Sequence, residues 1–150
     1  MSLRSAWILA AALLASVVVL PARAWSPITV RDGGGAAIGR IDPDGTVRSA
    51  SGATRGRIEQ DGTVRDRSGA TRGRVEAGGV LRDASGATVG RVDPDGALRD
   101  RGGARVGRLD VCTVRSAAGR ATGTFDGCSM IDDRKVMAAY LFFFEPLHRR

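Results

Sequence analysis

Five near-copies of a 17-residue unit occupy the middle of the chain, and they restrict its fold more than any other feature. The clearest copy runs from Gly56 to Arg72, and its Gly-Arg-aliphatic opening recurs at Gly39, Gly56, Gly73, Gly90 and Gly107. A fixed period of this size signals a repeat architecture, in which each unit buries its apolar side against its neighbours.

Each unit carries two turn signals. One is Asp42-Pro43-Asp44-Gly45, with counterparts at Glu59, Glu76 and Asp93; the other is Ser49-Ala50-Ser51-Gly52, with counterparts at Asp66, Asp83 and Asp100. Proline presets φ at the second turn position, and Asp and Gly favour the reversal after it. The segments between the signals hold β-branched residues, so each unit reads as a hairpin of one longer and one shorter strand. Period-two alternation predicts that Thr54, Gly56 and Ile58 share one face, with Ala53, Arg55, Arg57 and Glu59 on the other. The inward side is then thin, with one large aliphatic per strand: Ile41, Val47, Ile58, Val64, Val75, Leu81, Val92, Leu98, Leu109 and Val114. The recurrent inward glycine leaves room for another chain segment to come close.

Such hairpins could stack in a row or close into a ring. A row wants capping units and a continuous apolar ridge, and neither is visible. Closure removes exposed strand edges, so we favour a closed ring of five to six hairpins. Val30 stands 17 residues before Val47, which makes the segment before Gly39 a partial unit in register. The unit opening at Gly107 is degenerate: Asp110-Val111-Cys112-Thr113 is one residue short and has lost the turn residues. Cys112 stands at that point and Cys128 follows the last long strand, so one disulfide between them is expected to staple the closing hairpin. In the chain-entropy description a loop of this length contributes roughly 3 kcal/mol.

The two ends differ from the repeats. Arg4, the apolar run Ala6 to Leu20 and Ala22-Arg23-Ala24 have the order of a cleaved export signal, so residues 1–24 are expected to be removed and the mature chain to begin at Trp25. Without Arg4 and Arg23, 21 basic residues face 16 acids, a charge of +5. Two cysteines and an export signal together indicate an oxidising compartment, periplasmic or extracellular. At the other end, Val136 to Phe144 is an apolar run too short to cross a bilayer as a helix. Apolar on every side, it must be buried. We expect residues 25–131 to form the repeat domain and 132–150 to pack on or in the ring. Asp132 and Asp133 suit a helix start, and Pro146 a helix end; Tyr140 to Phe144 could also run as a strand. His148, near the terminus, is expected to lie in a frayed end.

Few motifs carry chemistry. Asp-x-Asp in the first turn resembles half of a calcium loop, but the matching positions Gln60 and Ala77 abandon any ligand role, so turn chemistry explains it. No aromatics interleave the basic residues of the repeats, which argues against nucleic acid. No nucleophile has a base in motif range, which argues against an enzyme. The arginines at Arg40, Arg57, Arg74, Arg91 and Arg108 should share the outer face and are candidate anion ligands. Each repeat also supplies acids, so charge pairing on a solvated face competes with that reading.

The Gly-Arg-aliphatic, Asp-x-Asp-Gly-x-aliphatic and Ser-Gly-Ala-Thr pieces together resemble those of the bacterial β-flower repeat proteins, over roughly Val30 to Phe125. That resemblance implies short hairpins arranged as petals about an axis, in an exported domain without an established activity. We expect an all-β, non-enzymatic exported scaffold or interaction domain without a cofactor, its partner a protein or an anionic envelope polymer. The alternative is a binding module for anionic envelope glycans or lipids, acting through the outward arginines.

Overall fold

The computed structural model describes residues 26–129 and 133–150. The export signal and Asp132 lie outside the described residues. Twelve strands form one closed antiparallel barrel. They are β1 (Ile28–Asp32), β2 (Ala37–Ile41), β3 (Thr46–Ser49), β4 (Thr54–Ile58), β5 (Thr63–Asp66) and β6 (Thr71–Val75), continuing as β7 (Val80–Asp83), β8 (Thr88–Val92), β9 (Ala97–Asp100), β10 (Arg105–Asp110), β11 (Thr113–Ser116) and β12 (Ala121–Asp126). Each strand pairs with its sequence neighbours, and β1 closes the barrel on β12, with Val30 opposite Phe125. A helix, α1 (Arg134–Phe143), and a 3-10 turn (Leu147–Arg149) follow.

The turns repeat one device. At the end of β2, Gly45 donates its N–H to the Asp42 carbonyl at 2.9 Å, and Asp42 donates to Thr46 at 2.8 Å, with Gly45 at φ 88°. This is a type I turn closed by a left-handed residue, a position that glycine fills without steric cost. The turn between β10 and β11 is shortened rather than lost. Asp110 pairs directly with Thr113, and Val111 takes φ 58° in a two-residue loop whose first central position usually holds glycine. The expected disulfide is present: Cys112 in that turn joins Cys128 after β12, with Cα atoms 6.0 Å apart.

All ten predicted inward aliphatics are buried, joined by Ile28, Val30 and Phe125. Simple alternation fails beside them. Where an odd strand passes to the next even strand, one residue is skipped: Val47 faces Gly56 but Arg48 faces Thr54, which leaves Arg55 as a β-bulge. The same slip singles out Ile38, Arg72, Val89, Val106 and Thr122. A bulge re-aims its side chain. Thr54 is therefore exposed, and Arg55 turns toward the barrel mouth, contrary to the alternation reading.

The interior of a barrel this wide has to be filled, and the C-terminal segment fills it. Of the helix and strand alternatives, the helix is what forms, and Val136 to Leu141 are all buried. Asp133 sits at the N-cap without capping through its side chain; its carboxylate instead accepts from the Ser129 N–H at 2.6 Å. His148 is not frayed. Only 1% of it is exposed, because the chain turns back after Pro146 and carries Leu147 and His148 under the barrel wall.

Candidate functional site

Two surfaces could carry function: the barrel interior and its arginine-bearing exterior. Inside, six even strands each present one glycine, and each glycine faces one side chain of the C-terminal segment. Gly39 faces the Tyr140 hydroxyl, Gly56 Phe144, Gly73 Phe143, Gly90 Phe142, Gly107 His148 and Gly123 Leu147. A Cβ placed on any of the six would come within 2.8 Å of its partner, closer than packed atoms allow. The fit also runs along the helix. Ala138 and Ala139 come first, and the large rings follow where the wall is reduced to glycine.

The rings also meet one another. Tyr140 packs edge-on to Phe125 at 5.6 Å between centroids, and Phe142 lies 5.0 Å from the His148 ring. Two bulge arginines close the mouth over this cluster. Arg55 donates to the Phe144 carbonyl at 2.7 Å, and Arg55 and Arg72 stand 6.0 and 5.9 Å from the Phe144 ring centroid. Among the described residues, burial without a hydrogen-bond partner marks three atoms: Arg108 Nε, the Tyr140 hydroxyl and His148 Nδ1. Burial raises the Tyr140 phenol pKa against the opposing pull of Arg55. Burial, helped by Arg149, lowers His148 to about 4. This interior is apolar and occupied by the chain itself, with nothing arranged for bond making.

Outside, the candidate residues Arg40, Arg57, Arg74, Arg91 and Arg108 lie on β2, β4, β6, β8 and β10. Around a closed barrel, β2 and β8 are half a circuit apart. The five therefore encircle the molecule and do not converge. Each stands directly opposite another arginine: Arg48, Arg65, Arg82, Arg99 and Arg115 respectively. Like charges in that position repel, and a turn carboxylate between them relieves it. Asp42 takes Arg40 at 2.9 Å and Arg48 at 2.6 Å, Glu76 takes Arg74 and Arg82, and Asp93 takes Arg91 and Arg99, both at 2.7 Å. Both guanidinium contacts hold the Glu76 and Asp93 carboxyls below their usual range. Arg65 pairs with Glu59 alone and Arg115 with Asp110.

The odd-strand arginines have a second bond, which the sequence reading missed. Arg48, Arg65, Arg82, Arg99 and Arg115 each donate through Nη1 to the carbonyl of the turn glycine four residues on, at 3.0–3.2 Å. Arg31 does the same to Gly35 while pairing with Asp126 across the β1–β12 seam. These six arginines tie the turns at both ends of the barrel to the wall. Their spacing, an arginine four residues before a turn glycine in every unit, was the available signal.

An apolar interior plugged by the chain's own helix inside a charged, closed wall defines an all-β repeat protein of the β-flower class. The profile of the family described as "5-fold beta-flower protein" matches residues 28–145, and the chain belongs to that family. No curated protein and no solved structure matches it. Among the described residues, no helix is long and apolar enough to cross a membrane and no group of acidic, histidine or cysteine residues could hold a metal. The outward faces of the strands carry arginine, threonine and aspartate, where a membrane-embedded barrel would present an apolar band.

Proposed function

We propose that this chain is a non-enzymatic scaffold or interaction domain, exported after cleavage behind Ala24 and held as residues 25–131 around its own segment 132–150. In this reading the barrel is a six-petalled flower built on the 17-residue unit: five petals are continuous hairpins and the sixth joins β12 to β1. One observation carries the proposal. The six inward glycines are all covered by the chain's own side chains, so the interior is not available to a substrate. A ligand-induced thermal shift screen with small metabolites, run beside a panel of hydrolase substrates, tests it. We expect no shift and no turnover; a small molecule that raises the melting midpoint would contradict it. The mass of the mature protein recovered from outside the cytoplasm should correspond to a start at Trp25.

A second reading, binding of anionic envelope glycans or lipids through Arg40, Arg57, Arg74, Arg91 and Arg108, has one observation in its favour. Arg40, Arg74 and Arg91 keep more than half of their side-chain surface exposed while paired. Retention on a sulfated polysaccharide column at low salt, lost on mutating Arg57, Arg74 and Arg91 together, would support it. Free passage of the native chain would remove it.

A further inference from the structure

The C-terminal segment is held differently at its two ends. Where it enters the barrel, Cys128 is tied to Cys112, the Asp133 carboxylate accepts from the Ser129 N–H, and Arg134 donates to the Pro94 carbonyl. From Val136 to Leu141 the helix is buried, and the Tyr140 hydroxyl is the one polar side-chain group along that stretch. Beyond it the grip loosens, and Phe142 and Phe143 are only partly buried.

Glu145 makes the last bond back to the helix, its N–H reaching the Tyr140 carbonyl at 3.0 Å. Pro146 then interrupts the run, having no N–H to donate. The backbone bonds that follow stay local: Leu147 donates to Glu145 at 2.8 Å, Arg149 to Pro146 at 3.0 Å and Arg150 to Leu147 at 3.2 Å. The side chains of Arg149 and Arg150 likewise reach His148 and Glu145, inside the same stretch. Among the described residues, the only hydrogen bond or ion pair between residues 145–150 and the barrel wall is that of Arg55 with the Glu145 carboxylate, at 3.7 Å. Arg55 also donates to the Phe144 carbonyl at 2.7 Å, so it grips the chain where the helix ends. The rest of the attachment is burial of Leu147 and His148. That burial is weakened at His148 Nδ1, which loses water and gains no partner.

We propose that residues 145–150 are a strap that opens and closes over the mouth while the barrel and α1 stay folded, with Arg55 and Glu145 as its latch. Local opening of this kind follows where few bonds tie a segment to the rest of the fold. Pro146 is the hinge, since the helix bonds stop just before it. Opening uncovers Gly107 and Gly123, which His148 and Leu147 cover, and the side of the Phe142 ring that lies 5.0 Å from the imidazole. The other four inward glycines keep their rings, because Tyr140, Phe142, Phe143 and Phe144 precede the hinge. The proposal goes beyond the scaffold reading, in which the interior is filled at all times.

The chain has a single histidine, so modification of His148 by diethyl pyrocarbonate, located by peptide mass, reads the opening in the intact protein. At about pH 7 the ring is neutral and reacts wherever it meets solvent. Its rate, divided by that of a histidine in a short peptide, gives a protection factor to set beside those of the β4 to β8 amides in hydrogen exchange. We expect His148 to be at least about tenfold less protected than those amides, with a rate that hardly responds to urea below the unfolding transition. Glu145→Gln should raise the His148 rate roughly twofold to fivefold, leaving the strand amides unchanged. Arg55→Met removes the bond to Phe144 as well and should raise it about tenfold. Protection of His148 equal to that of the strand amides overturns the proposal, because the ring is then reached only by global unfolding. So do variants that leave its rate unaltered, or that speed strand exchange by the same factor. If either variant fails to fold, the other and the urea response of the native chain decide.

Discussion

Gly90 in β8 lies against the ring of Phe142: a Cβ on Gly90 would stand 2.7 Å from Phe142 Cζ and 2.8 Å from the Arg99 carbonyl oxygen. The residue is glycine because the wall must thin where the plug is widest. Gly90→Ala should therefore destabilise the protein by about 1–3 kcal/mol through overpacking, measured by urea unfolding. Combined with Phe142→Ala, part of that cost should disappear, because one of the two obstructions has gone. Purely additive costs would show that ring and glycine are independent.

Tyr140 makes an opposite case. Its hydroxyl is buried without a hydrogen-bond partner and presses on Gly39, where a Cβ would come to 2.7 Å. Removing a buried polar atom that has no partner relieves a desolvation cost. Tyr140→Phe should leave the melting midpoint unchanged or raise it, and a loss above about 1 kcal/mol would reveal a bond to that oxygen.

Acid should loosen the plug at His148. Its pKa in the folded chain is about 4, against an ordinary value of 6.5. Above pH 6.5 the ring is neutral in both states and contributes no pH dependence. As the pH falls from 6.5 toward 4, the unfolded chain takes up a proton that the folded chain refuses, so stability declines, by up to about 3 kcal/mol. His148→Phe should flatten the stability profile across that window in chemical denaturation at a series of pH values. The carboxyls of Asp44, Asp61, Asp66, Asp83, Glu76 and Asp93, all lowered by their hydrogen bonds, lose their contribution only at lower pH and should do so in both proteins.

The disulfide ties the shortened turn at Val111 to Cys128, just past β12 and five residues before Asp133 opens the helix region. Replacing Cys112 and Cys128 with serine should lower stability by roughly 3 kcal/mol. The native chain should show no free thiol when alkylated under denaturing, non-reducing conditions.

Much of this architecture is legible in the sequence, and the gaps have physical causes. One aliphatic per strand and two turn signals per unit identify the buried wall residues from Ile41 to Val114 and favour closure, and the all-apolar run from Val136 to Phe144 demands a buried place. Three things are hidden. The bulge at Arg55 interrupts alternation by a single residue, and only the pairing of Arg48 with Thr54 exposes it. His148 is followed by two arginines and looks solvated, yet it has to occupy the space that Gly107 leaves open. The outer arginines look like one binding array along a linear sequence, but closing the barrel disperses them and pairs Arg40, Arg74 and Arg91 with turn acids.

The central claim is that the C-terminal segment fills the barrel against its inward glycines. Nuclear Overhauser contacts between glycine α-protons and aromatic rings test it most directly in the native chain in solution. Cross-peaks from Gly39 to Tyr140, Gly56 to Phe144, Gly73 to Phe143 and Gly90 to Phe142, with the glycine α-protons shifted by the rings, are the predicted result. Aromatic resonances at random-coil positions, with no contact to any of these glycines, would contradict it.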